Sequence, residues 1–115
     1  MMLNKGVWGR ERLLAQASIE LMTSDQLMPQ QRIGAEIFFG SHSSWGFCMA
    51  VNIQRHQPWI APGRFGWDGG FGVSAYSDPN NDFIGILLTQ RLMDSPEQPA
   101  VFNDFWTHAY RSLET

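Results

Sequence analysis

The stretch "GRFGWDGGFGVSAYSDPNNDFIGILLTQ", residues 63–90, decides how this chain is read. Its first ten residues hold five glycines and three aromatics. Glycine weakens a strand interior and marks a bulge or a place where a ligand or another backbone comes very close. Residues 64–77 read as one strand built around that cluster. "SDPNND" then reads as a tight hairpin connection. Asp78 accepts turn bonds, Pro79 presets its backbone angle, and an asparagine tolerates left-handed geometry. "FIGILLTQ", 83–90, is nearly all apolar, the pattern of a central strand buried on both faces.

Working upstream, residues 44–54 alternate. Trp45, Phe47, Met49, Val51 and Ile53 fall on one face, and Gly46, Cys48, Ala50 and Asn52 on the other. "RHQPWIAPG" between the two strands is a loop, with two prolines and a glycine. Residues 26–43 show no clear period and read as loop with a helical turn. Ser18 is placed to cap a short helix, "SIELMTSDQ", with Ile19 and Met22 inward. "VWGRERLL" reads as two short extended pieces around Gly9. "MMLNKG" looks like the last turn of a helix with a glycine stop, which points to further sequence upstream. Downstream, Ser95-Pro96 starts a helix whose Phe102, Phe105, Trp106, Ala109, Tyr110 and Leu113 share one face. The expected fold class is α+β. A three-stranded antiparallel sheet carries a short N-terminal helix and a long C-terminal helix, in one domain over 1–115.

Composition narrows the functions. The 115 residues suffice for one small core, and five tryptophans supply large apolar area. Net charge is −3, and no Lys/Arg cluster exists, which argues against nucleic acid or an anionic membrane as partner. No stretch has the length of a membrane span. No signal peptide is visible in the chain, which implies a cytoplasmic location if it is expressed as it stands. The single cysteine, Cys48, lies in an apolar run and reads as a small buried hydrophobe. His42, His56 and His108 have no partner at metal-ligand spacing and read as surface or structural residues, so no metal and no cofactor is expected. Asp78 and Asp82 flank a turn and read as turn residues.

Residues 63–90 resemble the C-terminal strand pair of the serine β-lactamase-like superfamily, which includes penicillin-binding proteins and class C-type esterases. "NKGVWGRERLLAQASIELMTSDQL" resembles the stretch upstream of that pair in the family, and "SSWGFCMAV" its preceding strand. The resemblance implies a partial β-lactamase-like fold, the C-terminal part of such a domain. In that family Ser-x-x-Lys, a Tyr- or Ser-based motif, and Lys-Thr-Gly or a His/Trp-x-Gly variant make the site. Trp67-Asp68-Gly69 stands at the third motif, and the Gly70 amide would help form an oxyanion hole. The bland alternative is a glycine-kinked strand that lets aromatics pack.

The departures matter as much. The only lysine is Lys5, and position 2 is methionine, so Ser-x-x-Lys is missing. Tyr76 follows the third motif and cannot serve as the second. Trp67 in place of the motif's lysine cannot pair with a substrate carboxylate, which points toward the esterase-like branch. The resemblance thus implies a truncated hydrolase domain, without catalysis by itself, carrying Trp67, Asp68, Gly69 and Gly70. Two further readings stand beside it. One is a self-associating module, a homo-oligomer paired through strand 83–90, which the missing N-terminal strands would leave as a bare edge. The other is half of a serine hydrolase completed in trans by a partner chain that supplies the missing N-terminal half.

Overall fold

The fold is described from a computed structural model, in which residues 1–114 are defined. It is α+β, with a two-stranded ribbon, a five-stranded antiparallel sheet and three α-helices. The ribbon pairs β1 (Val7–Trp8) with β2 (Glu11–Arg12) about Gly9, as the two short extended pieces require. The large sheet runs β3 (Ser43–Trp45), β4 (Ala50–Asn52), β5 (Phe65–Gly69), β6 (Val73–Asp78) and β7 (Phe83–Leu88), in chain order. Helix α1 is Gln16–Met22, α2 is Glu36–Phe39 and α3 is Ala100–Arg111. A 3-10 turn occupies Pro29–Arg32, so 26–43 holds two helical pieces rather than one turn.

The sheet therefore has five strands where the sequence pattern suggests three, because two of the expected strands fold back on themselves. Residues 64–77 become the β5–β6 hairpin. The Gly72 amide donates to the Gly69 carbonyl at 3.0 Å, and Gly72 adopts φ +90°, a left-handed value open to glycine. Residues 44–54 become the β3–β4 hairpin, with Cys48 at φ +64° in its turn. Cys48 is exposed, not a buried hydrophobe, because the turn carries it out of the sheet.

The "SDPNND" connection forms a hairpin turn with Asp78 as its acceptor, but the left-handed residue is Asp82 at φ +48° and not an asparagine, and the connection does more than turn. Asp78 is 1% exposed, and its carboxylate accepts from the Asn80 amide (2.9 Å), the Asn81 side chain (2.8 Å) and the Tyr110 hydroxyl (2.8 Å). The hairpin turn is thereby tied to the C-terminal helix. Helix α3 begins at Ala100 behind Pro99, not at Ser95-Pro96, since a second proline at 99 fits only ahead of the first turn. Its Phe102, Trp106 and Tyr110 recur every four residues, are buried, and form the core with Trp59 and Ile60. The Trp106 indole N–H donates to Ser74 Oγ at 2.9 Å, which satisfies its one polar group. Leu113 stays partly exposed beyond the helix end.

At the other end of the sheet, α1 lays Ile19 inward, 3% exposed like Val51 of β4. Ser18 lies inside α1; the residue before its first turn is Ala15, which makes no side-chain cap. Strand β7 is the terminal strand, not a central one. Phe83 and Leu87 pack toward the α3 core, while Ile84, Ile86 and Leu88 are 54%, 60% and 74% exposed. A near-continuous apolar run thus covers one buried face and one open face.

Candidate functional site

A cleft of about 670 Å³ opens on the face of the sheet that meets α3. Helix α2 and the segment 93–98 form its two sides. Its floor comes from His42 and Ser43 at the start of β3, Asn52 of β4, Arg64, Trp67 and Asp68, and Tyr76 of β6. Trp67, Asp68 and Gly70 all line it. Gly69 does not: the position of a Cβ there is occupied by the Val73 side chain.

The four residues singled out from sequence sit at the end of β5, not in the middle of a long strand, because Gly70 belongs to the hairpin turn. The glycine that answers to close backbone approach is Gly66. A Cβ there would overlap the Ala75 carbonyl and the Tyr76 backbone across the β5–β6 ladder. At Gly70 nothing lies within 4 Å of the Cβ position, so the space beside that residue is open. The Gly70 carbonyl accepts from the Met93 amide at 2.9 Å, which pins the hairpin to the segment leading into α3. Trp67 stands edge-on to Trp45, with ring centroids 5.0 Å apart.

Asp68 is the carboxylate on the floor of the cleft. It accepts from Ser74 Oγ at 2.5 Å and more loosely from Gln98 Nε2 at 3.4 Å. Burial raises its pKa above the ordinary carboxylate value and outweighs the opposing Ser74, Arg64 and Gln98 interactions. Ser74 in turn accepts from Trp106, so Asp68, Ser74 and Trp106 form one chain from cleft to core.

Sequence reasoning missed the cation beneath this carboxylate. Arg64 is 3% exposed, and its guanidinium lies 3.7 Å from the Tyr76 ring centroid and 4.4 Å from that of Trp106. It donates to Asn52 Oδ1 at 3.3 Å, and Asn52 Nδ2 donates to Ser43 Oγ at 2.6 Å. No protein atom among the described residues accepts from Arg64 Nε. Tyr76 is a floor residue whose hydroxyl pKa is pushed up, first by burial and then by Asp68. A lone arginine ahead of a strand carries no sequence signal; its role emerges only when β6 and α3 close over it.

The histidines separate. His42 and His56 stack in the cleft, with centroids 4.5 Å apart and rings 6° from parallel. Burial, then His56, then Arg64 hold the His42 imidazole below its ordinary value. His108 is exposed on α3. Among the described residues no group of His, Cys, Asp and Glu is placed to hold a metal ion, and no helix is long and apolar enough to cross a membrane. Serines 43 and 95 also line the cleft, but Lys5 does not.

No family model matches the chain. It is similar to two proteins of Mycobacterium tuberculosis, "Uncharacterized protein MT1414" of strain CDC 1551 / Oshkosh and "Protein Rv1367c" of strain ATCC 25618 / H37Rv. Each is 28% identical over 101 residues, which cover 82% of this chain and 25% of the relative. The chain thus spans about a quarter of the length of the curated relatives it matches.

Proposed function

We propose that this chain supplies one wall of the acyl pocket of a serine β-lactamase-like or esterase-like hydrolase, and that it does not catalyse on its own. The observation that carries the reading is the placement of Trp67, Asp68 and Gly70 on one cleft, with open space beside Gly70. In an acyl-transfer site a backbone amide must reach the developing oxyanion, and a residue without a Cβ leaves that approach clear. The likeness to relatives about four times as long fits a chain that corresponds to part of a larger domain. The attacking serine and its lysine would come from sequence this chain does not contain, as the single lysine at position 5 requires. In the version completed in trans, a partner chain donates both, a lysine or tyrosine takes the serine's proton, and the Gly70 amide stabilises the oxyanion.

Purified chain is expected to hydrolyse neither a p-nitrophenyl ester nor a chromogenic cephalosporin above blank. Turnover that co-purifies with the folded chain and withstands further purification would overturn the reading.

The open face of β7 favours a second reading, that of a self-associating module. Ile84, Ile86 and Leu88 form an exposed apolar row on a terminal strand that has no strand on its outer edge among the described residues. Such an edge pairs readily with another chain. This concerns present use and is compatible with descent from a hydrolase.

A further inference from the structure

The stacked imidazoles of His42 and His56 have no part in the Trp67–Gly70 segment, yet they join the cleft floor to the segment between β4 and β5. His42 precedes β3, and its carbonyl accepts from the Ile53 and Gln54 amides at 2.8 and 3.3 Å, so it belongs to the sheet. His56 belongs to the segment 53–63 that crosses from β4 to β5. Near His56 that segment is held by its own bonds: the His56 amide to the Ile60 carbonyl (3.1 Å), the Ile60 amide to the Gln57 carbonyl (3.0 Å) and Arg55 Nη1 to the Pro58 carbonyl (3.2 Å). The Ile53 and Gln54 amides on the His42 carbonyl hold the start of the segment to the sheet, Trp59 and Ile60 anchor its far part in the core, and between them the ring stack joins His56 to the sheet beside the cleft.

We propose that the His42–His56 stack is a proton-operated latch, closed while at least one ring is uncharged and released when both carry protons, so that residues 55–58 swing away and widen the cleft. Two uncharged imidazoles stack face to face without penalty. Two imidazolium rings 4.5 Å apart repel, and Arg64 on the cleft floor adds a third positive charge that does not titrate in this range. Arg55, next to His56 in the chain and bonded to the Pro58 carbonyl, is a further fixed cation, and the carboxylates facing the cleft are Glu36 on α2, Asp68 on β5, and Asp94 and Glu97 ahead of α3. Those carboxylates favour protons on the rings. Burial, then His56, then Arg64 hold His42 below its ordinary value. The closed latch therefore holds above the ordinary imidazole range and gives way as pH falls below it. The latch is independent of the hydrolase reading, because it uses no residue of the Trp67–Gly70 segment.

The test is a pH titration of the wild-type chain, following the imidazole Cε1 protons by NMR together with amide exchange at His56 and Ile60. The expected result is a split titration, with the second ring of the pair protonating at least tenfold less readily than His108. Exchange at the two amides should rise at least fivefold, after correction for intrinsic rates, as the second proton binds. His56→Phe keeps an aromatic ring in the stack without a proton and should flatten the pH response, while His108→Gln should leave it unchanged. Independent titration of both rings alongside His108, with pH-invariant corrected exchange, would overturn the latch. The wild-type titration decides the matter even if the His56→Phe chain fails to fold.

Discussion

A methyl group added at Gly66 and one added at Gly70 meet different surroundings. At Gly66 it collides with the backbone of β6, at a φ of +156° that side chains rarely adopt. Gly66→Ala should lower stability by about 3 kcal/mol, as overpacking against backbone does. At Gly70 it meets open space, and Gly70→Ala should stay within about 0.5 kcal/mol of wild type. Urea denaturation midpoints of the two variants check both values. A second pair concerns Asp78. Asp78→Ala strands the Tyr110 hydroxyl and two turn donors and should cost about 3 kcal/mol, whereas Tyr110→Phe removes one bond and should cost about 1 kcal/mol. Thermal melts of the two variants, compared in one buffer, give that order. Glycine content alone announced a constraint near residue 66, but not which of five glycines carried it.

Among the elements, the existence of α1 and α3 and the 78–82 turn were legible, whereas α2, the start of α3 and the strand count were not. Phe102, Trp106 and Tyr110 face one way because four residues make a little over one helical turn, and no distant partner is needed to see that. The two hairpins hid for a different reason. In β5–β6 the pairs Trp67↔Ala75 and Gly69↔Val73 put odd-numbered residues on the same face of both strands. Alternation therefore passes through the turn in phase and mimics one long strand. In β3–β4 the pairing Trp45↔Ala50 shifts the phase, so Trp45 shares its face with Ala50 and not with Val51. Only Cys48 at positive φ marks the break, and a cysteine does not advertise that conformation. The cleft was half legible for the same reason: Trp67 to Gly70 stand together in sequence, whereas Ser43, Asn52, Arg64 and Tyr76 meet only through strand pairing. The apolar composition of β7 suggested burial on both faces, yet alternate residues are bare. If that bare row mediates association, Ile86→Lys should shift sedimentation velocity from dimer or larger species to monomer without changing the far-ultraviolet spectrum. A wild-type monomer throughout the micromolar range would dismiss pairing through this strand.

For the molecule as a whole, pH should act at both ends of the scale. The raised Asp68 carboxyl means the folded chain holds a proton the unfolded chain releases near 3.8. Its contribution is complete below that value and is lost as pH rises through the folded pKa. Asp68→Asn should therefore stabilise the chain at pH 7 and have less effect at pH 3, as read from urea melts at the two pH values. At the alkaline end, burial pushes the Tyr110 hydroxyl up to about 12 and raises Tyr76 as well. A phenol held neutral by the fold stabilises it fully below its unfolded value near 10 and loses that effect as pH rises toward 12. Alkaline unfolding should begin close to pH 10, and Tyr110→Phe should blunt it.

The five strands of the large sheet lie beside one another in the order in which the chain is made. Each ladder is closed by a connection of modest length, so the loop-closure entropy paid for any pairing is small. The strand pairings are therefore local, and the bonds from Trp106 to Ser74 and from Tyr110 to Asp78 are what join the sheet to a more distant part of the chain. Along the chain each strand follows its ladder partner, and α3 comes after all five, with Trp106 packed on Ser74 and Gly85 of the sheet.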